Sequence, residues 1–303
     1  MQKHIPTYLS AYESGNLAEV SEELYRRMEP CMLCPRNCNV NRLEGETGTC
    51  NTANRAMVSS YGPHFGEEEV LVGSYGSGTI FFTNCNLLCT FCQNYDISHL
   101  GRGKETNNEE IADMMLELQN RGCHNINFVT PSHVIPQVAG ALTIAAERGL
   151  NIPLVYNSGG YDSVESLKLL EGIIDIYMPD FKFSDPDIAE ATCDARDYFE
   201  VAKNAVKEMH RQVGDLKTDD NGLAYRGLII RHLLMPEDSA GTEEIMDFIA
   251  GEISKNSYIN IMAQYFPRGK VEAGSGIDRP VTYGEDRRAR KIAREKGLER
   301  IAN

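Results

Sequence analysis

The sequence predicts an α/β protein, a partial (βα)6 TIM-like barrel with an N-terminal cysteine-rich extension. Three observations carry that prediction. From residue 78 onward, short apolar runs rich in β-branched and aromatic residues alternate with amphipathic helical segments, which is the rhythm of parallel βα units. Six such runs can be counted, too few for a closed eight-stranded barrel. Residues 1–75 do not share the rhythm and carry a group of cysteines instead.

The elements follow in order. Gly78-Thr-Ile-Phe-Phe-Thr83 reads as the first strand. Residues 107–121 read as a helix: Asn107 or Asn108 caps it, Glu109 and Glu110 fill its first turn, and Ile111, Met114, Met115 and Leu118 form one apolar face. Residues 125–130 give the next strand and 136–148 the next helix, ended by Gly149. Residues 152–157 give a third strand, and Asp162-Ser-Val-Glu165 reads as a capping box opening a third helix. Residues 174–179, 227–235 and 258–264 are the remaining strands, with helical segments near 186–213 and 240–254. Before the barrel, a helix near 16–28 precedes the cysteine-rich segment 31–50. The tail 283–300 reads as a solvated helix whose arginines and lysines pair with Glu285, Glu295 and Glu299; a docking patch for an acidic partner is the alternative. The expected divisions are an extension (1–75), a barrel core (76–270) and a helical tail (271–303).

Composition narrows the class. The chain has 303 residues, 42% of them hydrophobic, enough for a large core. With 30 basic and 44 acidic residues the net charge is −14, which argues against generic binding to nucleic acid or to an anionic membrane. No apolar run reaches the ~20 residues that span a bilayer, and residues 1–12 lack a signal-peptide apolar segment. A soluble, cytoplasmic protein is expected, with no nucleic-acid or membrane partner.

Cysteine usage is the strongest clue. Of nine cysteines, seven fall in two tight groups, at 31, 34, 38 and 50 and at 85, 89 and 92. An odd total in a reducing compartment does not suggest a disulfide framework, and such close spacing suits metal. Cys85-Asn-Leu-Leu-Cys89-Thr-Phe-Cys92 begins two residues after the first strand, where barrel active sites form. Three thiolates can hold three irons of a 4Fe–4S cube and leave the fourth open and reactive. A structural zinc or a closed electron-transfer cluster is the plainer alternative. It needs a fourth ligand, and only Asn84, Asn86 and Asn94 stand nearby, poor donors for a soft site.

The motif, the strand before it and the βα pattern after it resemble the radical S-adenosylmethionine (SAM) superfamily over about residues 76–265. That resemblance implies a 4Fe–4S cluster on Cys85, Cys89 and Cys92 and SAM on the open iron. Reductive cleavage of SAM then gives a 5′-deoxyadenosyl radical that abstracts hydrogen from a substrate. Phe91 would pack beside the adenine. Met178-Pro-Asp180-Phe-Lys182 and Ile229-Ile-Arg231-His232 further resemble segments of the glycyl-radical-enzyme activating enzymes, typified by pyruvate formate-lyase activating enzyme. Asp180 would then accept hydrogen bonds from the ribose or bind a cation, and Lys182 and Arg231 would hold the methionine carboxylate; a barrel-rim ion pair is the alternative for each.

Two segments depart from the activating enzymes. Val129-Thr130-Pro131-Ser132-His133 stands where they carry a Gly-Gly-Glu-like segment, and Tyr156-Asn157-Ser158-Gly159-Gly160 where they carry Asp-Thr-Asn-Gly. Thr130, Ser132 and Asn157 are the neutral acceptors that could substitute. His133 reads either as a radical-quenching or substrate group or as a satisfied structural histidine.

The extension, with Cys31-Met-Leu-Cys34-Pro-Arg-Asn-Cys38, Arg42, Gly45, Gly48 and Cys50, resembles an uncharacterised radical SAM family named after the activating enzymes by similarity. Its four cysteines suit zinc or a second 4Fe–4S cluster, and the choice stays open here. The implied function is hydrogen abstraction from a protein or peptide substrate, in its narrow form activation of a glycyl radical enzyme. The electron donor would be a flavodoxin or ferredoxin. A small-metabolite or peptide side-chain substrate is the alternative, and a non-catalytic iron–sulfur electron carrier the minor one. Gly73–Gly78 precedes a strand and lacks a Gly-Lys-Ser/Thr ending, so it reads as a turn rather than a phosphate loop. Cys123 and Cys193 are isolated and read as buried structure.

Overall fold

The computed structural model describes residues 4–302; Met1 to Lys3 of the polar N-terminus and Asn303 of the tail lie outside the described residues. Helices α1 (Thr7–Glu13) and α2 (Asn16–Arg26) come first, followed by the cysteine segment. Strand β1 (Ala56–His64) and the short α3 (Glu69–Val72) complete the first quarter. The repeating part runs β2 (Ser77–Phe82), α4 (Tyr95–Ser98), β3 (Lys104–Thr106), α5 (Asn108–Asn120), β4 (Ile126–Val129), α6 (Ile135–Glu147), β5 (Leu154–Ser158), α7 (Val164–Leu169) and β6 (Ile176–Phe181). It continues with α8 (Pro186–Cys193), α9 (Tyr198–Val213), β7 (Lys217–Thr218), β8 (Ala224–Leu233), α10 (Thr242–Phe248), β9 (Tyr258–Met262) and α11 (Tyr283–Glu295).

The architecture is mixed α/β around one mostly parallel sheet. Strands β2, β4, β5, β6, β8 and β9 pair in that order, each parallel to the next. Strand β1 adds antiparallel to the free edge of β2, β3 adds antiparallel to β1, and β7 adds antiparallel to β8. The alternating side chains of a strand point to opposite faces, and the packing divides accordingly. Ile80, Phe82, Phe128, Leu154, Tyr177, Ile230 and Ile259 belong to the large core shared with the helices. Val155, Ile176, Met178 and Ile229 belong to a second, smaller core on the other face, closed by Leu71 of α3. Two residues further along three of these strands, the same face carries Asn157, Asp180 and Arg231. The inner face thus changes from apolar to polar toward the carboxyl ends of the strands.

Several expectations are corrected. The segment 186–213 is two helices, broken where Asp194 takes a left-handed φ of 49°. The third helix opens at Ser163, whose side chain accepts from Ser166 N–H. Asp162 is not part of a capping box. It turns inward and accepts from Tyr156 Oη at 2.9 Å and Ser158 Oγ at 2.6 Å. Strands β1 and β3 and helix α1 were not anticipated. Strand β1 tolerates Pro63 because β3 pairs only with residues 56–58, which leaves the Pro63 end at the sheet edge. Helix α5 is capped by Asn107 in a reciprocal capping box with Glu110. In α11 the ion pairs Arg290–Asp286 and Lys291–Glu295 are intrahelical. Residues 73–76 form the expected turn.

Candidate active site

The loop after β2 gathers the central cysteines. Asn84 takes a left-handed φ of 72° and donates to Asn51 O and Thr52 Oγ1, both at 3.1 Å. Leu88 is also left-handed, with φ 54°. These two reversals fold the loop so that Cys85, Cys89 and Cys92 act on one another electrostatically. Leu87 N–H donates to Cys85 Sγ at 3.3 Å and Ser98 Oγ to Cys92 Sγ at 3.2 Å. Burial pushes the Cys85 thiol up to about 12 and raises Cys92. Cys89 is raised by a hydrogen bond with Cys193 and by burial. Thiols held neutral this way become ligands by giving up protons to a metal, and three soft donors with N–H and O–H groups aimed at sulfur suit an iron–sulfur cluster. Among the described residues no three Cys, His, Asp or Glu side chains are gathered as ligands of one metal ion. A single ion would therefore need the thiols to turn inward, whereas a 4Fe–4S cluster takes each thiolate on a different iron.

The polar patch on the inner face lies beside this loop. Asp180 accepts from Lys182 Nζ at 2.5 Å and from Arg231 Nε at 2.7 Å. Arg231 also donates to Asn157 Oδ1 at 2.6 Å and lies 3.7 Å from Glu67. Burial by itself would raise the Asp180 carboxyl, but Arg231 and Lys182 hold it below its ordinary value. Lys182 would be lowered by burial, but Asp180 beside it holds it above. Burial raises Glu67, against the pull of Arg231. The residue facing Asp180 must be glycine, because a Cβ at Gly160 (φ 79°) would run into the Asp180 carbonyl. Tyr198 Oη buttresses the turn by donating to Gly159 O at 2.9 Å and accepting from Lys182 N–H at 3.1 Å.

The other expected residues are placed as follows. Asn157 joins the patch. Thr130 ends β4 with φ 61° and donates its N–H to Asn157 O at 2.8 Å. Ser132 is buried and bonded to Tyr156 and Asp162, so it belongs to that network and not to the patch. His133 is a structural histidine: its Nε2 donates to Thr83 O at 3.0 Å, and burial with Arg42 nearby lowers it to about 4. Phe91 is buried edge-on to Phe183 and tilted against Tyr265, each at 5.8 Å between centroids. Cys31, Cys34, Cys38 and Cys50 line one enclosed pocket. A larger cavity of about 480 Å³ opens between Thr90, α8 and residues 270–277.

Four participants were not anticipated. Glu67 lies in the acidic run Glu67–Glu69, and the turn into α3 carries its side chain inside. Cys193 is isolated in the sequence, and the fold brings the end of α8 to Cys89. Arg36 and Asn86 touch both cysteine groups; their position inside the two motifs was the available signal.

Residues 79–249 match the family model of the radical SAM superfamily. Over 298 residues, covering 96% of this chain and 82% of the relative, the chain is 34% identical to an uncharacterized protein of Methanocaldococcus jannaschii. Among the described residues no helix is long and apolar enough to cross a membrane. The matched span runs from within β2 through β8 and holds the whole central cysteine loop, more than half of the chain, and with it come a 4Fe–4S cluster and SAM as cofactors: the chain belongs to the radical SAM superfamily.

Proposed function

We propose that this radical SAM enzyme holds its cluster on Cys85, Cys89 and Cys92 and abstracts hydrogen from a protein or peptide substrate, in the narrow form activating a glycyl radical enzyme. The observation that carries the proposal is the nearness of the three-thiol loop to the Asp180–Lys182–Arg231 group, whose Lys182 charge favours the thiolate forms of Cys89 and Cys92. When bound, the cluster and SAM supply one-electron cleavage of the sulfonium C–S bond and a 5′-deoxyadenosyl radical for hydrogen abstraction. The chain's residues bind and orient. Lys182 and Arg231 offer charge-assisted donors to a carboxylate, and Asp180 and Asn157 offer acceptors to an amine or a hydroxyl. Thr130, at the end of β4, borders the same strand ends. Phe91 supplies a fixed aromatic wall. The six parallel strands then act as a partial barrel from about 76 to 270, with 1–75 as an extension and 271–303 as a tail.

The activating-enzyme-like segments at Asp180 and Arg231 favour a protein or peptide substrate. The reducing equivalent would come from a flavodoxin- or ferredoxin-type donor. The altered Thr130–His133 and Asn157–Gly160 segments favour a second reading, a free small metabolite or a peptide side chain.

The test is 5′-deoxyadenosine release by anaerobically reconstituted protein given SAM and a strong reductant, beside Cys89→Ala. Release by the wild type alone is expected. No release from a fully loaded wild-type cluster, with and without candidate protein partners, overturns the proposal. A glycyl radical signal on a partner by electron paramagnetic resonance would select the narrow form, and turnover of a free small molecule the second reading.

A further inference from the structure

The four N-terminal cysteines form a site that the reaction at the central loop does not use. Cys31, Cys34 and Cys50 are buried and Cys38 is partly exposed. Their sulfurs already accept hydrogen bonds. Thr49 N–H donates to Cys38 Sγ at 3.4 Å, and the backbone N–H groups of Arg36 and Thr52 favour the thiolate forms of Cys34 and Cys50, while the Thr52 hydroxyl donates to Cys50 O at 3.0 Å. Arg42 is 1% exposed and sets its guanidinium 4.0 Å from Cys31 Sγ, anchored by Ala53 O and His133 O. At Gly48 a Cβ would lie 2.5 Å from both Cβ and Sγ of Cys38, so the chain passes there only as glycine. The buried His133 Nδ1, in the same pocket, has no hydrogen-bond partner. Four soft donors on one pocket, N–H groups aimed at sulfur and a buried cation suit a thiolate-bound metal. The four thiols are not gathered around one point, so a single zinc would draw them inward, whereas a cluster would take each on a different iron.

This site is tied to the central loop by one guanidinium. Arg36, between Cys34 and Cys38, donates from Nε to Asn86 O at 2.9 Å and from Nη2 to Leu87 O at 3.4 Å and Cys193 O at 2.7 Å. Its Nη1 reaches Asp194 O. Asn86 in turn bonds to the Cys34 thiol and donates from Nδ2 to Tyr161 O at 2.8 Å. The backbone between Cys85 and Cys89 and the end of α8 at Cys193 are thus clamped by a residue whose own position is set by two N-terminal cysteines.

We propose that Cys31, Cys34, Cys38 and Cys50 bind a metal centre of four-thiolate chemistry, zinc or an iron–sulfur cluster, and that its loading fixes Arg36 so that the central cysteine loop is held ready for its cluster. Arg36 is a positioning residue. The coupling half rests on the proposed assignment of the central loop; the binding half does not.

The test uses the full chain reconstituted anaerobically, with zinc in one arm and with iron and sulfide in the other. The triple variant Cys85→Ser/Cys89→Ser/Cys92→Ser is expected to keep about one zinc or about four irons per chain, and to lose them when Cys31→Ser and Cys34→Ser are added. Metal analysis and the cluster's absorption and paramagnetic resonance spectra tell the two metals apart. A folded triple variant that takes up neither overturns the binding half. In an otherwise wild-type chain, Arg36→Ala is expected to release central-cluster iron to a chelator about tenfold faster, at the lower end of what outer ligand contacts do to metal affinity, and to change the spectrum of the reduced cluster. Arg36→Lys, which keeps the charge but cannot span the carbonyls, is expected to fall between and serves if the alanine variant misfolds. Wild-type release and spectrum in both variants overturn the coupling half. Neither readout needs SAM cleavage, so a wild type that loads both centres and makes no 5′-deoxyadenosine would sink the proposed reaction and leave this inference standing.

Discussion

Replacing Asp180 by asparagine tests the polar patch most sharply. The side chains of Asp180, Lys182 and Arg231 are 13%, 11% and 15% exposed, so water screens them little. Asn keeps the shape and one acceptor but turns an NH2 toward either Lys182 Nζ or Arg231 Nε. Two buried cations then share a site with Glu67, whose carboxyl is itself raised by burial, and one cation loses its partner. Breaking a buried pair by removing one member costs about 3–5 kcal/mol. At about 2.1 cal/mol/K per residue, unfolding this 303-residue chain carries about 0.64 kcal/mol/K of entropy. The expected drop in Tm is therefore about 5–8 °C, read by circular dichroism on the metal-loaded protein. The double variant Asp180→Asn/Lys182→Met removes the extra cation and is expected to recover part of that loss, because cost and rescue share one electrostatic origin. A single variant within about 1 °C of wild type, or a double variant no better than the single, would refute the reasoning by showing that the patch is already hydrated.

Three further outcomes are expected. His232 is fully buried, donates from Nδ1 to Phe181 O at 2.8 Å and accepts at Nε2 from Thr242 Oγ1 at 3.0 Å; burial lowers it to about 4. The folded state thus resists a proton that the unfolded chain takes up near pH 6.5, so stability is full above that pH and falls as the pH drops toward 4, by about 2 kcal/mol at pH 5. Urea midpoints across this range should show a steeper fall in the wild type than in His232→Asn. Asn107→Ala removes the reciprocal cap of α5 and should cost about 1 kcal/mol, or about 1.5 °C in Tm; no shift would mean that tertiary packing alone sets that helix start. Gly48→Ala should release metal from the N-terminal site about tenfold faster, in a chelator competition run on the variant lacking the central cysteines, and an unchanged rate would show that the 2.5 Å approach to Cys38 relaxes without effect.

The parallel strands were legible because their signal is local. A strand buried on both faces must be a short apolar run whatever packs on it, and the runs at 78–83, 125–130 and 258–264 fall within two residues of β2, β4 and β9. The cap at Asn107 was legible for the same reason, since its partner lies three residues away. Asp162 shows the limit: the sequence offered a cap-like spacing, but the buried hydroxyls of Tyr156 and Ser158 compete for the same carboxylate and win.

The sequence by itself determined the two cysteine groups and the strand that delivers the central one, which are properties of residue type and short spacing; its resemblance to the activating enzymes added Asp180, Lys182 and Arg231 as candidates. Only the tertiary structure decided that Arg231 joins Lys182 in pairing with Asp180, that Ser132 and His133 serve other networks, and that Glu67 reaches Arg231 from 164 positions away. It also decided that Arg36 links the two cysteine groups and that Cys193 meets Cys89. Each of these is a contact between groups far apart in the chain. Its existence depends on which faces the sheet presents and where the loops close, and burial then turns it into a strong interaction by removing the water that would otherwise screen it.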